Sequence, residues 1–329
     1  MTSSHSILDR YDGLLVDLDG TVFAGGKLID GAKEGLEGRL VSYVTNNASR
    51  SPADVAQRLW DLGIDAEPNQ VLTSAQAACL LAMNEVVERD GVHNPPSAYV
   101  IGTESFRDLA REAGFQVVDS AYAEPDVVLQ GHDPHNTWEK LSEGALAIRR
   151  GALFVASNLD TSLPSERGLL VGNGSMVAAV QTATGVRPLS SGKPGPEMFR
   201  AAADRLGAQQ PLVIGDRLDT DIAGGIAAGF DTMCVLTGVS THHDVLDTTH
   251  RPTHIAGSLS ATLCGWNAEV SGGEILVSSG EEGDLSVMAA EAVAVVAPLY
   301  WEIRDATPER HIRITPKDAI AREAIEAWR

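Results

Sequence analysis

The stretch that decides the fold is Gly13–Thr21, which reads GLLVDLDGT. Its first part is a short apolar run of the kind that forms a buried strand in a parallel sheet. Its second part places Asp17 and Asp19 on a glycine turn at the carboxyl end of that strand, where α/β sheets bind their ligands. A solvated acidic turn accounts for one aspartate, but not for two carboxylates on one side of the turn. We therefore interpret this stretch as a strand that leads into a functional loop.

Strand-like apolar runs alternate with helical patterns along much of the chain. Further strands are predicted at Val41–Thr45, Leu212–Ile214 and Thr232–Leu236, and helices at Pro52–Leu62, Pro196–Leu206 and Thr220–Ala228. Alternation of this kind predicts an α/β fold with a doubly wound, Rossmann-like parallel sheet and helices on both faces.

Two further regions interrupt and extend this core. The middle of the chain repeats the pattern, with strands at Ala98–Ile101, Val127–Gln130 and Leu153–Ala156 and helices at Glu104–Ala113 and Asn136–Arg149. The end reads as a β-β-α-β-α unit: Glu269–Ser271, Ile275–Ser279, Leu285–Arg304, His311–Ile314 and Pro316–Trp328. We predict a core of residues 1–77 and 186–264, an inserted α/β domain of residues 78–185, and a small C-terminal α+β domain of residues 265–329. The apolar stripe of its long helix should pack on the core or on another subunit.

The composition excludes several classes of function. The 329 residues include 25 Lys+Arg and 45 Asp+Glu, a formal charge of −20, which argues against nucleic acid or an anionic membrane as partner. The longest apolar segment, residues 288–299, is interrupted by Glu291, and the N-terminus does not have the organisation of an export signal. Cys79, Cys234 and Cys264 lie far apart, which indicates reduced thiols rather than a disulfide or zinc framework. We expect a cytoplasmic protein.

Three more polar features follow predicted strands. Thr45-Asn46-Asn47 offers a hydroxyl, amides and backbone N–H groups to an anion, although, taken alone, a capped turn before the helix at Pro52 explains it better. Lys193 precedes a predicted helix, where an ammonium and a helix N-terminus suit a phosphate. Asp216, Asp219 and Asp221 lie within six residues and would repel one another unless a cation or Arg217 compensates them. Each feature is ambiguous alone, but their order after successive strands is not.

This ordered set resembles the haloacid dehalogenase superfamily of aspartate-nucleophile phosphotransferases over residues 11–252. Its four motifs match Asp17–Val22, Thr45–Asn47, Gly192–Pro194 and Gly215–Asp221 in order. The long insert is similar to that of class IIA, the p-nitrophenylphosphatase and phosphoglycolate phosphatase-like subgroup. Segments that resemble this subgroup are Gly131–His135 and Asn158–Asp160, followed by Pro164, Gly172 and Gly174. With its C-terminal appendage, the chain most resembles actinobacterial glycerol-3-phosphate phosphatases.

The resemblance implies a mechanism for the motif residues. Asp17 would attack phosphorus to give an aspartyl-phosphate, and Asp19 would be the general acid and base. A Mg²⁺ ion would be held by Asp17, the Asp19 backbone oxygen and Asp216, with Asp221 supporting that shell indirectly. Phosphoryl oxygens would bind Thr45, Asn46, Asn47 and Lys193.

The insert would cover the site as a cap and contact the substrate. Candidates for those contacts are His132, Asp133, Asn158 and Arg167, together with His135. The implied activity is a phosphomonoesterase on a small phosphorylated metabolite, with glycerol 3-phosphate first. Phosphoglycolate, pyridoxal phosphate or broad p-nitrophenyl phosphate hydrolysis are alternatives, and a non-catalytic sensor of a phosphorylated metabolite is an alternative of another class. A homodimer, paired through the insert or the appendage, is left open.

Overall fold

A computed structural model describes residues 6–90, 95–165, 167–260 and 265–328. The strands are β1 (Gly13–Val16), β2 (Phe23–Ala24), β3 (Lys27–Leu28), β4 (Val41–Thr45), β5 (Val71–Thr73), β6 (Ser97–Ile101), β7 (Gln116–Val118), β8 (Val127–Gln130), β9 (Leu153–Ala156), β10 (Ser162–Ser165), β11 (Gly168–Val171), β12 (Leu189–Ser190), β13 (Pro211–Gly215), β14 (Asp231–Val235), β15 (His254–Ala256), β16 (Asn267–Ser271), β17 (Glu274–Ser278) and β18 (Arg313–Pro316). The helices are α1 (Ala32–Leu36), α2 (Pro52–Asp61), α3 (Ser74–Asp90), α4 (Glu104–Glu112), α5 (Trp138–Arg149), α6 (Asn173–Thr184), α7 (Glu197–Leu206), α8 (Ala223–Ala228), α9 (His242–Asp247), α10 (Leu285–Ala306) and α11 (Ala319–Glu326).

The chain forms two compact units, Met1–Ser42 with Ala203–Arg329, and Tyr43–Ala202. Strand β4 begins in the first unit and ends in the second. The predicted boundary at residue 77/78 falls inside α3, an alanine-rich helix whose start the sequence pattern did not reveal.

The first unit is built on parallel strands in the order β15-β14-β13-β1. Strand β1 is buried along its whole length, as its unbroken apolar run predicts. Because Val16 is opposite Ile214 in the pairing of β1 with β13, the loops that follow these two strands begin side by side. Both predicted acidic motifs are therefore placed at one edge of the sheet.

The segment after β13 differs from the prediction. A helix was expected from Thr220, but the chain first makes one wide, π-helical turn at Leu218–Ile222 and only then enters α8. The side chain of Asp221 lies so close to Gly215 that a Cβ there would be 2.3 Å from the Asp221 carboxyl carbon. The wide turn thus directs Asp221 back beneath the end of β13.

The C-terminal residues of the first unit form a sheet of order β16-β17-β18 covered by α10 and α11. Their apolar side chains share one buried cluster with Ile222, Cys234, Val245 and Ile255 from the sheet region. The expectation that the stripe of α10 packs on the core is therefore confirmed. Among the described residues, α10 is long and apolar enough to cross a membrane, but its buried side is a packed core surface.

The second unit contains the parallel pair β4–β5 and a parallel sheet of order β12-β9-β8-β6-β7. Helices α3 and α4 cover one face of that sheet, and α5 and α6 cover the other, so this insert is itself doubly wound. The predicted strands Val41–Thr45, Val127–Gln130 and Leu153–Ala156 are confirmed with the same bounds. Strands β10 and β11 form an antiparallel hairpin, which follows β9 and precedes α6 in the sequence. Cys79 and Cys234 are buried free thiols, while Cys264 lies outside the described residues.

Candidate active site

Asp17 and Asp19 lie on a tight turn after β1. The Asp17 N–H donates to the Ile214 carbonyl at 2.8 Å, which fixes the start of this turn to the neighbouring strand. The Leu18 carbonyl accepts from the N–H groups of Val22 and Phe23 at 2.9 and 3.1 Å, and so reverses the chain. The turn leaves Asp17 9% exposed, whereas Asp19 is open to solvent. The two carboxylates therefore occupy different environments, although they are only two residues apart.

A compact acidic cluster is the central feature of the first unit. Asp17, Asp216 and Asp221 each offer a carboxylate oxygen, and these oxygens lie within 4.8 Å of one another. Asp216 and Asp221 are 0% and 1% exposed, so solvent does not screen their charges. Three buried carboxylates at such separations repel strongly unless a cation compensates them. An all-oxygen donor set of this kind fits a hard divalent cation such as Mg²⁺.

A loop that the sequence interpretation missed holds Asp216 in place. The Val239 N–H donates to Asp216 Oδ2 at 2.6 Å, and the Ser240 N–H donates to the Asp216 carbonyl at 3.1 Å. A Cβ at Gly238 would lie 2.0 Å from Asp216 Oδ2, so only glycine permits this approach. In the same loop, the Thr237 hydroxyl donates to the Gly20 carbonyl at 2.6 Å. The available signal was Gly238, three residues after β14.

Arg217 and Asp219 form a separate pair beside this cluster. The Arg217 guanidinium donates two hydrogen bonds to the Asp219 carboxylate, at 3.0 and 2.7 Å, and lowers the pKa of that carboxyl. Asp219 is exposed and stands outside the buried group. The sequence left open whether a cation or Arg217 compensates the three aspartates of this motif. In the structure, Arg217 compensates the charge of Asp219.

The Thr45-Asn46-Asn47 segment lies in the second unit at the end of β4. Thr45 is 4% exposed, and its Oγ1 accepts from the Asn47 N–H at 3.1 Å. Asn47 Oδ1 accepts from the N–H and hydroxyl of Ser49, at 2.9 and 2.7 Å. The capped-turn interpretation is therefore correct for Asn47. Because the Thr45 hydroxyl oxygen is the acceptor in this turn, the turn does not use the hydroxyl hydrogen of Thr45.

Lys193 lies next to that segment. Its Nζ donates to the Val44 carbonyl at 2.9 Å, and its backbone N–H donates to Asn46 Oδ1 at 2.9 Å. The side chain is 4% exposed and its ammonium faces the Phe199 ring at 5.9 Å from the centroid. A buried ammonium is placed beside the Thr45 segment, as the motif order predicts.

The predicted contacts of the insert separate into two groups. His132 and Asp133 follow β8, and Asn158 follows the adjacent strand β9, whereas Arg167 is exposed in the β10–β11 hairpin. Asp133 is buried; its Oδ1 accepts from the His135 N–H at 2.8 Å and its Oδ2 accepts from Lys140 Nζ at 3.4 Å. Burial raises the pKa of Asp133, but these hydrogen bonds and the Lys140 charge outweigh it and lower the pKa overall.

Comparison with known proteins agrees with this geometry. A family model described as haloacid dehalogenase-like hydrolase matches residues 14–116, and a HAD-hydrolase-like model matches residues 190–262. The chain is 41% identical to the D-glycerol 3-phosphate phosphatase of Mycobacterium tuberculosis, over 98% of this chain and 95% of that protein. It is 38% identical to an acid sugar phosphatase of Staphylococcus aureus, over 78% of this chain and 98% of the relative.

Solved structures give the same result. The glycerol phosphate phosphatase of Mycobacterium tuberculosis, in complex with magnesium, has a TM-score of 0.82 at 40% identity and covers 98% of both chains. A calcium complex of that protein has a TM-score of 0.84. The fold, the order of the motifs and the similarity over nearly the whole length lead to one conclusion. The chain belongs to the haloacid dehalogenase superfamily.

Proposed function

We propose that this protein is a Mg²⁺-dependent phosphomonoesterase that hydrolyses glycerol 3-phosphate to glycerol and phosphate. The observation that carries the proposal is the buried cluster of Asp17, Asp216 and Asp221 at the end of two adjacent strands. The similarity over 98% of the chain to a D-glycerol 3-phosphate phosphatase supports the substrate.

Asp17 is the nucleophile in this proposal. Its carboxylate oxygen forms a bond to phosphorus while the bond from phosphorus to the glycerol oxygen breaks, and Asp19 gives its proton to that oxygen. Asp19 then takes a proton from water, the water oxygen bonds to phosphorus, and Asp17 leaves as a free carboxylate. The buried position of Asp17 suits a nucleophile held in one orientation, and the exposed position of Asp19 suits a group that exchanges protons.

Asp17, Asp216 and the backbone oxygen of Asp19 would hold the Mg²⁺ ion, and Asp221 would support that arrangement. The ion supplies positive charge that offsets the repulsion between a carboxylate nucleophile and a phosphate dianion. The 2.6 Å hydrogen bond from the Val239 N–H orients Asp216 for this task.

We assign the phosphoryl oxygens to the Thr45 hydroxyl and the Lys193 ammonium, which carry the donor hydrogens that an anion needs. Asn46 and Asn47 belong to the same segment, but their carboxamide oxygens accept from Lys193 and Ser49. We therefore assign these two side chains to shaping the loop around the phosphate.

The insert is proposed to act as a cap that recognises the leaving group. His132, at the end of β8, is half-buried and is our first candidate for that contact, with the exposed Arg167 as the second. The buried carboxylate of Asp133 is bound by Lys140 and orients the His132 loop instead. We further propose that the enzyme is cytoplasmic and that its partner is a small phosphorylated metabolite rather than nucleic acid or a membrane. We also propose a homodimer, which analytical ultracentrifugation would test.

A panel of phosphomonoesters tests the proposal. Glycerol 3-phosphate, phosphoglycolate, pyridoxal phosphate, sugar phosphates and p-nitrophenyl phosphate are compared by kcat/KM with Mg²⁺ and with EDTA. We expect the highest value for glycerol 3-phosphate and loss of turnover in EDTA. Equal or higher values for another ester would reject the substrate, and an absence of Mg²⁺-dependent turnover on every ester would reject the enzyme in favour of a sensor.

A further inference from the structure

Hydrogen-bonded asparagines in the second unit form a chain that ends on the backbone of Lys193. Asn173 Nδ2 donates to the Asn158 carbonyl at 2.8 Å, and Asn158 Nδ2 donates to the Asn46 carbonyl at 2.8 Å. Asn46 Oδ1 then accepts from the Lys193 N–H at 2.9 Å. The chain joins the end of β9 and the start of α6 to both phosphate-binding segments.

Both ends of the Asn46 carboxamide are used in this arrangement. Its Nδ2 donates to Asp160 Oδ2 at 3.1 Å and to the Lys193 carbonyl at 3.3 Å, while its Oδ1 accepts from the Lys193 N–H. Hydrogen bonds to a carboxylate are stronger than those between neutral groups, so Asp160 fixes the orientation of the amide. The side chain is held on Lys193 rather than presented to a substrate.

Close backbone contacts enclose the Asn158–Asp160 segment. A Cβ at Gly174 would lie 2.1 Å from the Leu159 carbonyl oxygen, and one at Gly172 would lie 2.3 Å from the Asp160 carbonyl oxygen. On the other side, a Cβ at Gly192 would lie 2.6 Å from the Ser157 carbonyl oxygen. The segment is thus clamped between the start of α6 and the residue before Lys193. Asn158 and Asp160 are thereby held in the positions from which each forms a hydrogen bond with Asn46.

We infer that Asn158 and Asp160 are positioning residues for phosphate binding, acting through Asn46 on the backbone of Lys193. The inference rests on the proposed function, because it takes Lys193 as the phosphate-binding cation. It differs from the sequence-based expectation that Asn158 contacts the substrate. Asn158 is only 4% exposed, and its donor group is engaged by Asn46.

The two roles make different predictions for Asn158→Ala and Asp160→Ala. A positioning residue affects every phosphoryl ligand alike, whereas a leaving-group contact affects one ester and spares inorganic phosphate. We expect both variants to weaken inorganic phosphate binding to the Mg²⁺-loaded protein about tenfold, measured by calorimetry, as for a lost buried hydrogen bond. The kcat/KM values for glycerol 3-phosphate and p-nitrophenyl phosphate should fall by the same factor, and the Mg²⁺ affinity should stay that of the wild type.

Matched variants separate positioning from general destabilisation. Asp160→Asn retains an oxygen acceptor for Asn46 and should recover most of the phosphate affinity. Asn136→Ala is the control, because Asn136 lies in the same unit but its Nδ2 donates to the Gly131 carbonyl and takes no part in the series of hydrogen bonds that ends on Lys193. This variant should bind phosphate like the wild type. In a double-mutant cycle, the loss of phosphate-binding free energy in the variant with both Asn46→Ala and Asp160→Ala should be smaller than the sum of the losses in the two single variants.

The result that would overturn the inference is phosphate affinity within twofold of the wild type in folded Asp160→Ala, which has a half-buried side chain and should fold. A change in the ratio of the two esters with unchanged phosphate affinity in Asn158→Ala would likewise overturn it and make Asn158 a substrate contact. Because calorimetry with phosphate needs no turnover, the inference is decided even where wild-type protein hydrolyses none of the esters, an outcome that rejects only the proposed function.

Discussion

Replacing Asp216 by asparagine should remove Mg²⁺ binding and, at the same time, stabilise the metal-free protein. The carboxylate oxygens of Asp17, Asp216 and Asp221 lie within 4.8 Å of one another, so each charged pair repels by at least about 3.5 kcal/mol at an effective dielectric constant of roughly 20. Two of the pairs include Asp216. Because the substitution removes one charged partner from both of these pairs, we expect it to raise the free energy of unfolding of the metal-free protein by about 2 kcal/mol, a fraction of the Coulomb repulsion.

The assay is thermal unfolding with EDTA and with Mg²⁺, together with Mg²⁺ calorimetry. In EDTA, Asp216→Asn should unfold a few degrees above the wild type, since about 1 kcal/mol shifts the midpoint by roughly 2–4 °C in a domain of this size. Mg²⁺ at 100 times its Kd should stabilise the wild type by about 2.7 kcal/mol and leave the variant unchanged. The asparagine keeps an oxygen that can accept from the Val239 N–H, so the loop should remain in place.

Asp219→Asn is the matched control. It removes the same charge from the same loop, but Asp219 is exposed and paired with Arg217, outside the buried cluster. It should therefore bind Mg²⁺ like the wild type and gain no stability in EDTA. If Asp216→Asn binds Mg²⁺ with wild-type affinity, the ligand assignment is wrong. If it is less stable than the wild type in EDTA, the three carboxylates do not repel one another as their geometry requires.

Four further outcomes are expected. Asp17→Asn should abolish phosphate release and labelling of the protein by radioactive phosphate, with the circular dichroism spectrum unchanged, whereas residual labelling would place the nucleophile elsewhere. Asp19→Asn should lower kcat by about 10²–10⁴, measured with p-nitrophenyl phosphate, since it removes both proton transfers; turnover close to that of the wild type would exclude it as the acid and base. Ca²⁺ should inhibit in competition with Mg²⁺, since the larger ion accepts more oxygen ligands and can engage both oxygens of Asp17; turnover supported equally by Ca²⁺ would contradict this. The pKa of Asp133 is lowered in the folded state, so its contribution to stability is present above the unfolded pKa and is lost as pH falls through the folded value. The free energy of unfolding, measured in urea, should therefore fall more between pH 6 and pH 3 for the wild type than for Asp133→Asn.

The sequence was informative where one local stretch contains both the strand and the chemistry. An apolar run followed by two aspartates and a glycine predicted β1, its burial and the position of Asp17, because parallel strands bring ligands to their carboxyl ends. The same reasoning predicted that Asp216 follows the partner strand β13. Both predictions depend on residues within a few positions of each other, where periodicity and turn chemistry act.

Contacts between distant segments could not be predicted in this way. The loop at Val239 holds Asp216 through a backbone N–H, a group that every residue except proline carries and that gives no sequence signal. Asn46 and Asp160 are 114 positions apart, so nothing in either neighbourhood indicates that they pair. The sequence predicts regular helix from Thr220 because the residues there have no helix-breaking feature, whereas the structure makes a wide turn at Leu218–Ile222 that places Asp221 beneath Gly215.

The C-terminal region shows how a segment without catalytic motifs can still support the site. Helix α9 begins two residues after Ser240, whose N–H binds the Asp216 carbonyl, so the chain passes directly from the acidic cluster to α9. Trp301 of α10 donates from Nε1 to the Val245 carbonyl of α9 at 3.1 Å, and the Trp328 ring stacks on His242 at 6.2 Å between centroids. These contacts cover α9 with the aromatic side chains of Trp301 and Trp328. Since the same apolar cluster includes Leu218 and Ile222, which flank Asp219–Asp221, together with Leu236 after β14, the C-terminal region packs against the acidic segment that follows β13 and against the segment that follows β14. We therefore expect the C-terminal region to hold these segments in place around the cluster of Asp17, Asp216 and Asp221 rather than to take part in the chemistry.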